Sequence, residues 1–189
     1  EIFCFLNNDT IVLPGWSDSI VKTFEDHPKA GLVGSKLYYP DGSLQEAGGL
    51  IWNDGGGTNF GRNDNPNRPE YCYLRNVDYC SGAAIFVWSK VWQEMKGFDP
   101  IFSPAYYEDT DLAFRVRQAG YQVLFQPFSK VIHIEGATSG TDLSKGIKHY
   151  QAINKETFYH RWREILTTHS SPCVPDWTNI NHSNRPRAL

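Results

Sequence analysis

Methionine is almost absent from this chain. Its single example, Met95, lies mid-sequence, and the opening EIFCFLNND begins inside an apolar run with no initiator. Such a start is expected of a piece cut from a longer protein. Long apolar runs are also missing. The longest are of strand length, far short of the roughly 20 residues that cross a bilayer, so no transmembrane segment is expected. Basic excess is missing as well: 18 Lys and Arg face 21 Asp and Glu, and the net charge of −3 leaves no electrostatic footprint for nucleic acid. Cysteine is sparse. The four present include no Cys-x-x-Cys pair and no histidine at zinc-ligand spacing, which excludes a zinc-finger framework and fits a reducing cytoplasmic setting. Cys72 and Cys80 remain a candidate pair if they face one another.

What is present suits one globular domain, or most of one. The chain has 189 residues, 40% hydrophobic and 21% charged, enough to bury a real core. Aromatics reach 14%, and such rigid amphipathic rings serve cores and sugar-stacking surfaces alike. Along the chain IFCFL (2–6) reads as a buried strand that empties into the polar turn NNDT. Pro14 then precedes a helix with Trp16, Ile20 and Phe24 on one face, ending near Pro28. GLVGSKLYY (31–39) and SGAAIFVWS (81–89) read as strands, and Ser89 is placed to cap a short helix through Met95. The Gly-, Asn- and Pro-rich stretch 53–70 lacks periodicity and reads as one long loop. YQVLFQP and KVIHIE read as two short strands, and 142–166 as a helix with basic residues outward. Residues 1–168 form the domain, and 169–189 an irregular tail. Alternating strands and helices make the class α/β, with a mixed sheet and flanking helices.

Three polar strand or helix ends stand out. The first is Asn7-Asn8-Asp9, where the first strand opens at the carboxyl end of a sheet, the place at which open α/β sheets bind ligands. The second is YYEDTDLAFRVRQAGY (106–121), which crowds Glu108, Asp109 and Asp111 at the mouth of a helix stopped by Gly120. Capping and dipole complementation explain acids in that place, with Thr110 or Asp111 as the cap. The third is His133, closing a strand in VIHIEGATSG. Gly82 and Ala83 are small enough for a substrate to approach a strand end closely, though small residues there also serve packing. Tyr106, Tyr107 and Trp52 are candidate stacking surfaces, and Arg62, Arg68 and Arg75 candidate phosphate contacts.

Taken in order, FLNNDTIVLPGW, YCSGAAIFVWSKVWQEMKGFDPIF, YYEDTDLAFRVRQAGYQVLFQP and VIHIEGATSG resemble the second half of family 2 glycosyltransferases, over roughly residues 1 to 165. The nearest likeness is to rhamnosyltransferase-like members that build bacterial surface polysaccharides. That resemblance implies a partial GT-A (Rossmann-like) fold, a nucleotide-diphospho-sugar donor, a saccharide or lipid-linked acceptor, a divalent metal (Mn²⁺ or Mg²⁺) and inversion at the anomeric carbon. Location follows as cytoplasmic or peripheral to the inner membrane face. NND occupies the place of the family's Asp-x-Asp motif, so Asp9 matches the metal-binding second acid while Asn7 replaces the first and is assigned to substrate. Glu108-Asp109 matches the segment bearing the catalytic base, and His133 a histidine that completes the metal site in some members. Asp109 is the expected base, with Glu108 tuning it. Gly82, Ala83, Tyr107 and Asp111 are the remaining substrate-side candidates.

The family's nucleotide-binding half precedes the Asp-x-Asp strand, so this piece alone is expected to be inactive. Its first strand is expected to offer a bare edge, covered by another segment or by a second copy of the chain. The rival reading is a non-catalytic carbohydrate-binding or interaction module derived from a transferase. A metal-dependent phosphohydrolase is more distant, since further Asp/His clusters are lacking.

Overall fold

A computed structural model of the chain describes residues 1–134 and 149–172. In chain order its elements are β1 (Ile2–Leu6), β2 (Thr10–Val12), α1 (Trp16–Asp26), β3 (Ala30–Tyr38), β4 (Leu44–Glu46), β5 (Gly49–Ile51), β6 (Gly57–Asn59), β7 (Arg75–Asn76), β8 (Ala84–Trp88), α2 (Ser89–Met95), α3 (Glu108–Gln118), β9 (Gln122–His133) and α4 (His149–Leu166). The main sheet runs β1-β8-β3-β9-β2, with β4 added to β3 and β7 to β9, while β5 and β6 form a separate ribbon. Among the described residues only β3 and β9 pair in parallel, and the other pairs are antiparallel. The result is the expected mixed α/β sheet.

Side chains alternate across this sheet with a period of two. Val33, Phe86 and Leu124 face α1, where they meet Ile20 and Phe24. Leu32, Ile85, Val87, Val123 and Phe125 face the opposite layer, against Leu112, Ala113, Phe114 and Val116 of α3 and Phe158 and Trp162 of α4. Two fully buried side chains from α1 contribute about 3–6 kcal/mol as an upper estimate, enough to fix that helix.

Several local expectations change. The two short strands after α3 are one twelve-residue strand, β9. Pro127 hides its continuity: it falls where the register against β3 shifts between Ser35 and Lys36, so its missing amide costs no regular ladder bond. The stretch 53–70 is not one loop, because β5 and β6 form a ribbon and Pro69–Tyr71 makes a 3₁₀ turn. The buried ammonium of Lys36 anchors it, donating to the carbonyls of Pro66 at 2.5 Å and Tyr71 at 2.9 Å. Ser89 does not cap α2; it is the first helical residue, and Trp88 holds the cap position. Cys72 and Cys80 are both free thiols, one exposed and one buried.

β1 is an outer strand, bonded to β8 alone among the described residues. Read as a buried strand, it is instead only partly covered: none of its residues is buried, and Leu6 is 42% exposed. Phe5 packs on the rings of Trp92 and Phe98, at 4.4 and 5.3 Å between centroids, and Ile2 joins the α1 cluster. The helix expected over 142–166 is described from His149 onward, and its earlier residues lie outside the described set. The first tail residues dock rather than trail: His169 Nδ1 lies 2.7 Å from the Ile51 carbonyl, and the Asn53 amide donates to the Ser170 carbonyl at 2.9 Å.

Candidate active site

The end of β1, the start of β8 and the end of β9 lie along one edge of the sheet, and they carry the candidate residues. Pairing places Leu6 opposite Ala84 and Thr10 opposite His133. The Asn7 amide continues that ladder onto the Ala83 carbonyl at 3.0 Å, and the Ile134 amide donates to the Asp9 carbonyl at 2.9 Å. As a result Asp9 Oδ1 sits 3.3 Å from His133 Nε2. On the far side of the ring, His133 Nδ1 is 2.9 Å from Gln45 Oε1. The tautomer sets the roles: with Nδ1–H donating to Gln45 Oε1, Nε2 keeps its lone pair toward Asp9. A carboxylate oxygen and a bare imidazole nitrogen at that distance repel unless a proton or a cation lies between them. This mixed oxygen and nitrogen pair fits a Mn²⁺- or Mg²⁺-type ion. Among the described residues no third His, Cys, Asp or Glu joins them.

The acidic cluster opens α3 in an unexpected way. Neither Thr110 nor Asp111 caps the helix. Tyr107 occupies the cap position in a left-handed conformation (φ 70°), directly after Tyr106 at φ 73°. Two consecutive non-glycine residues in that region are costly and persist only where surroundings enforce them. The enforcement comes from α4: the side-chain amide of buried Asn154 lies 2.8, 2.8 and 3.0 Å from the carbonyls of Phe102, Ala105 and Tyr106. That clamp turns Glu108 and Asp109 toward the sheet edge.

Asp109 is half-buried and fully specified. Its Oδ2 accepts from the Gly82 amide at 2.7 Å, and its Oδ1 from the Thr110 amide at 2.6 Å and hydroxyl at 3.1 Å. Burial pushes its carboxyl above the ordinary value, and those hydrogen bonds pull it back without cancelling the rise. Glu108 is pushed up to about 7, first by burial and then by the charge of Asp109, and its Oε2 is buried without a partner.

The other candidates separate. Asp111 is fully buried, and its carboxylate accepts from Arg115 Nε at 2.7 Å, Arg161 at 3.0 Å and Trp162 Nε1 at 2.9 Å. It ties α3 to α4 and is not available to a substrate. Ala83 is buried, with its carbonyl taken by Asn7, so only Gly82 of that pair meets the site. The Asn7 side chain stands exposed beside Asp9. Tyr107 is partly buried, its hydroxyl donating to the Gly55 carbonyl at 3.1 Å and its ring leaning on Phe158. Trp52 is 5% exposed, with its indole nitrogen bonded to Thr58, so it offers no stacking face. Arg75 is buried between the Phe60 and Phe125 rings and donates to the carbonyls of Ala47 and Glu70; Arg68 pairs with Asp64 and Glu70. Both are structural. Arg62 lies over the ring of Tyr39.

Reading the sequence missed Gln45, Glu46 and Asn154. Gln45 and Glu46 are neighbours on β4, 2% and 0% exposed, one against His133 and the other against the Ser81 amide. Their signal was a pair of polar residues inside the otherwise small and apolar run LQEAGGLIW. Asn154 gave none, because an asparagine in a polar helix looks solvated.

A family model described as glycosyl transferase family group 2 matches residues 2–179. The O-antigen biosynthesis protein RfbC of Myxococcus xanthus is 30% identical over 152 residues, covering 75% of this chain and 12% of that protein. Protein y4gI of Sinorhizobium fredii is 30% identical over 146 residues, covering 74% of this chain and 16% of its own length. An N-acetylglucosaminyl-diphospho-decaprenol L-rhamnosyltransferase of Mycobacterium tuberculosis is 26% identical over 160 residues, covering 77% and 50%. The chain thus spans half or less of the length of these relatives. Among solved structures, GalNAc-T7 with UDP, GalNAc and Mn²⁺ superposes with a TM-score of 0.64 at 15% identity, over 88% of this chain and 33% of that one; this likeness carries the GT-A fold. The chain belongs to glycosyl transferase family group 2.

Proposed function

We propose that this chain forms the metal- and acceptor-facing side of an inverting sugar transferase. The protein containing it would take a nucleotide-diphospho-sugar and pass the sugar to a saccharide or lipid-linked acceptor in surface polysaccharide synthesis. Family membership supports the reaction class, and the names of the Myxococcus and Mycobacterium relatives support the setting. One observation carries the reading. The Gly82–Ala83 segment binds Asp109 through the Gly82 amide and the Asn7 strand end through the Ala83 carbonyl, so one turn links the carboxylate to the strand end that leads to Asp9, and this supports a shared site.

In this reading Asp109 takes the proton from the acceptor hydroxyl as that oxygen bonds to the anomeric carbon and the bond to the diphosphate breaks. A positioned base contributes about 10²- to 10⁴-fold. Burial raises its pKa, which makes it a stronger base than a free aspartate. Asp9 and His133 would hold the divalent ion, which when bound supplies positive charge for the leaving diphosphate. Asn7, beside Asp9, meets the donor.

The test uses the natural full-length protein with nucleotide-sugar donors. Nucleoside diphosphate release should require both acceptor and Mn²⁺ or Mg²⁺. Asp9→Ala and His133→Ala should each weaken Mn²⁺ binding, read by calorimetry in the presence of nucleoside diphosphate, by at least about tenfold. Metal-independent transfer, or unchanged Mn²⁺ affinity in both variants, would overturn the assignment.

A further inference from the structure

Beneath the base lies a second carboxyl, fully buried on β4, that the reaction as described does not use. Glu46 Oε1 accepts from the Ser81 amide at 2.9 Å, and its Oε2 is buried without a partner. The next amide in the chain, that of Gly82, is the one that donates to Asp109 Oδ2 at 2.7 Å. Consecutive amides of one turn therefore hold two carboxyl groups, one sealed and one facing the site. Asp109 rests against this turn, so that a Cβ added at Gly82 would lie in ordinary contact with its Oδ2, at 3.4 Å.

We propose that Glu46 is a positioning residue for the base: a neutral carboxyl that fixes the Ser81–Gly82 turn and so aims the amide on which Asp109 rests. This inference depends on Asp109 being the base.

Neutrality follows from the surroundings. A sealed carboxylate with one amide donor and one empty oxygen has far too little compensation for a charge. The titratable groups facing Glu46 are Asp109 from α3, Arg62 from the segment after β6, and Tyr79 and Cys80 from the segment before β8. The Ser81 amide and, more weakly, Arg62 favour the charged form, and burial outweighs them. Burial moves the Glu46 carboxyl up to about 8. With its proton in place, Glu46 sets no second negative charge behind Asp109.

The experiment compares Glu46→Ala, Glu46→Gln and Asp109→Asn in the full-length protein. Glu46→Ala should lower kcat at least about tenfold with little change in donor KM, because it frees the turn without touching donor contacts. Glu46→Gln should restore most of that loss, since its amide oxygen still accepts from Ser81 and no charge is required. Infrared difference spectra of wild type against Glu46→Gln should show a protonated carboxyl at pH 7 that fades as pH rises past about 8. Gln as slow as Ala, Ala as fast as wild type, or no protonated carboxyl would each overturn the proposal. Should Glu46→Ala fail to fold, the Gln variant and the spectra still decide. Near-wild-type turnover in Asp109→Asn would instead remove the base assignment and leave the spectra to judge Glu46 alone.

Discussion

Removing the amide of Asn154 should damage the site more than it damages the fold. Asn154 lies on α4, 2% exposed, and its nitrogen is within 3.0 Å of the carbonyls of Phe102, Ala105 and Tyr106. An amide has two hydrogens, so Asn154→Ala deletes about two bonds' worth of donation and leaves buried acceptors unsatisfied. At about 1–3 kcal/mol for each such acceptor, the loss is about 2–6 kcal/mol before any cavity is counted. Opposing it is the left-handed strain at Tyr106 and Tyr107, about 1–2 kcal/mol for each residue. Clamp and strain are of similar size, so losing the clamp lets the segment relax and swings Glu108 and Asp109 from the sheet edge. Urea unfolding should report a loss of at least about 2 kcal/mol, and kcat of the folded fraction should fall at least about tenfold. Asn154→Asp should be worse, because it sets an oxygen against three carbonyls. Stability within about 0.5 kcal/mol of wild type together with unchanged kcat would refute the clamp.

Other outcomes follow from the same buried groups. Asp111→Asn strips the charge that pairs with Arg115 and Arg161 between α3 and α4, and should cost about 3–5 kcal/mol in urea unfolding; a loss under about 1 kcal/mol would place that pair elsewhere. Stability should also fall as pH rises. Glu46 and Glu108 sit at about 8 and about 7 against an ordinary 4.5, so the folded chain holds protons that the unfolded chain releases. Their contribution is complete below about pH 4.5 and is lost as pH climbs through about 7 and 8, giving a falling urea midpoint across that window. Glu46→Gln should flatten the upper part of this slope, and an identical slope in the variant would contradict it.

Much of the fold is legible because its elements are locally consistent. The first strand, the Trp16–Ile20–Phe24 stripe of α1 and the Gly120 stop after α3 (φ 88°) all appear where their patterns place them. What escaped depends on partners distant in sequence. Pro127 interrupts the pattern of β9, yet the strand continues because the register against β3 slips at that point. Glu46 is an ordinary surface residue by type, and only the strand, turn and helix around it show that it is sealed. Asp111 and Asp109 look alike in sequence, two positions apart at the head of one helix. Arginines 4 and 50 positions away turn the first into a structural tie, while the Gly82 backbone leaves the second at the sheet edge.

Turnover of the Asp109→Asn variant, with donor affinity measured alongside, tests the central claim most directly. The substitution keeps the shape of the side chain and removes only its capacity to take a proton. In the full-length protein kcat should fall at least about 10²-fold while the donor dissociation constant stays within about threefold of wild type. Near-wild-type turnover with an intact fold would contradict the assignment of the base, and with it this account of the site.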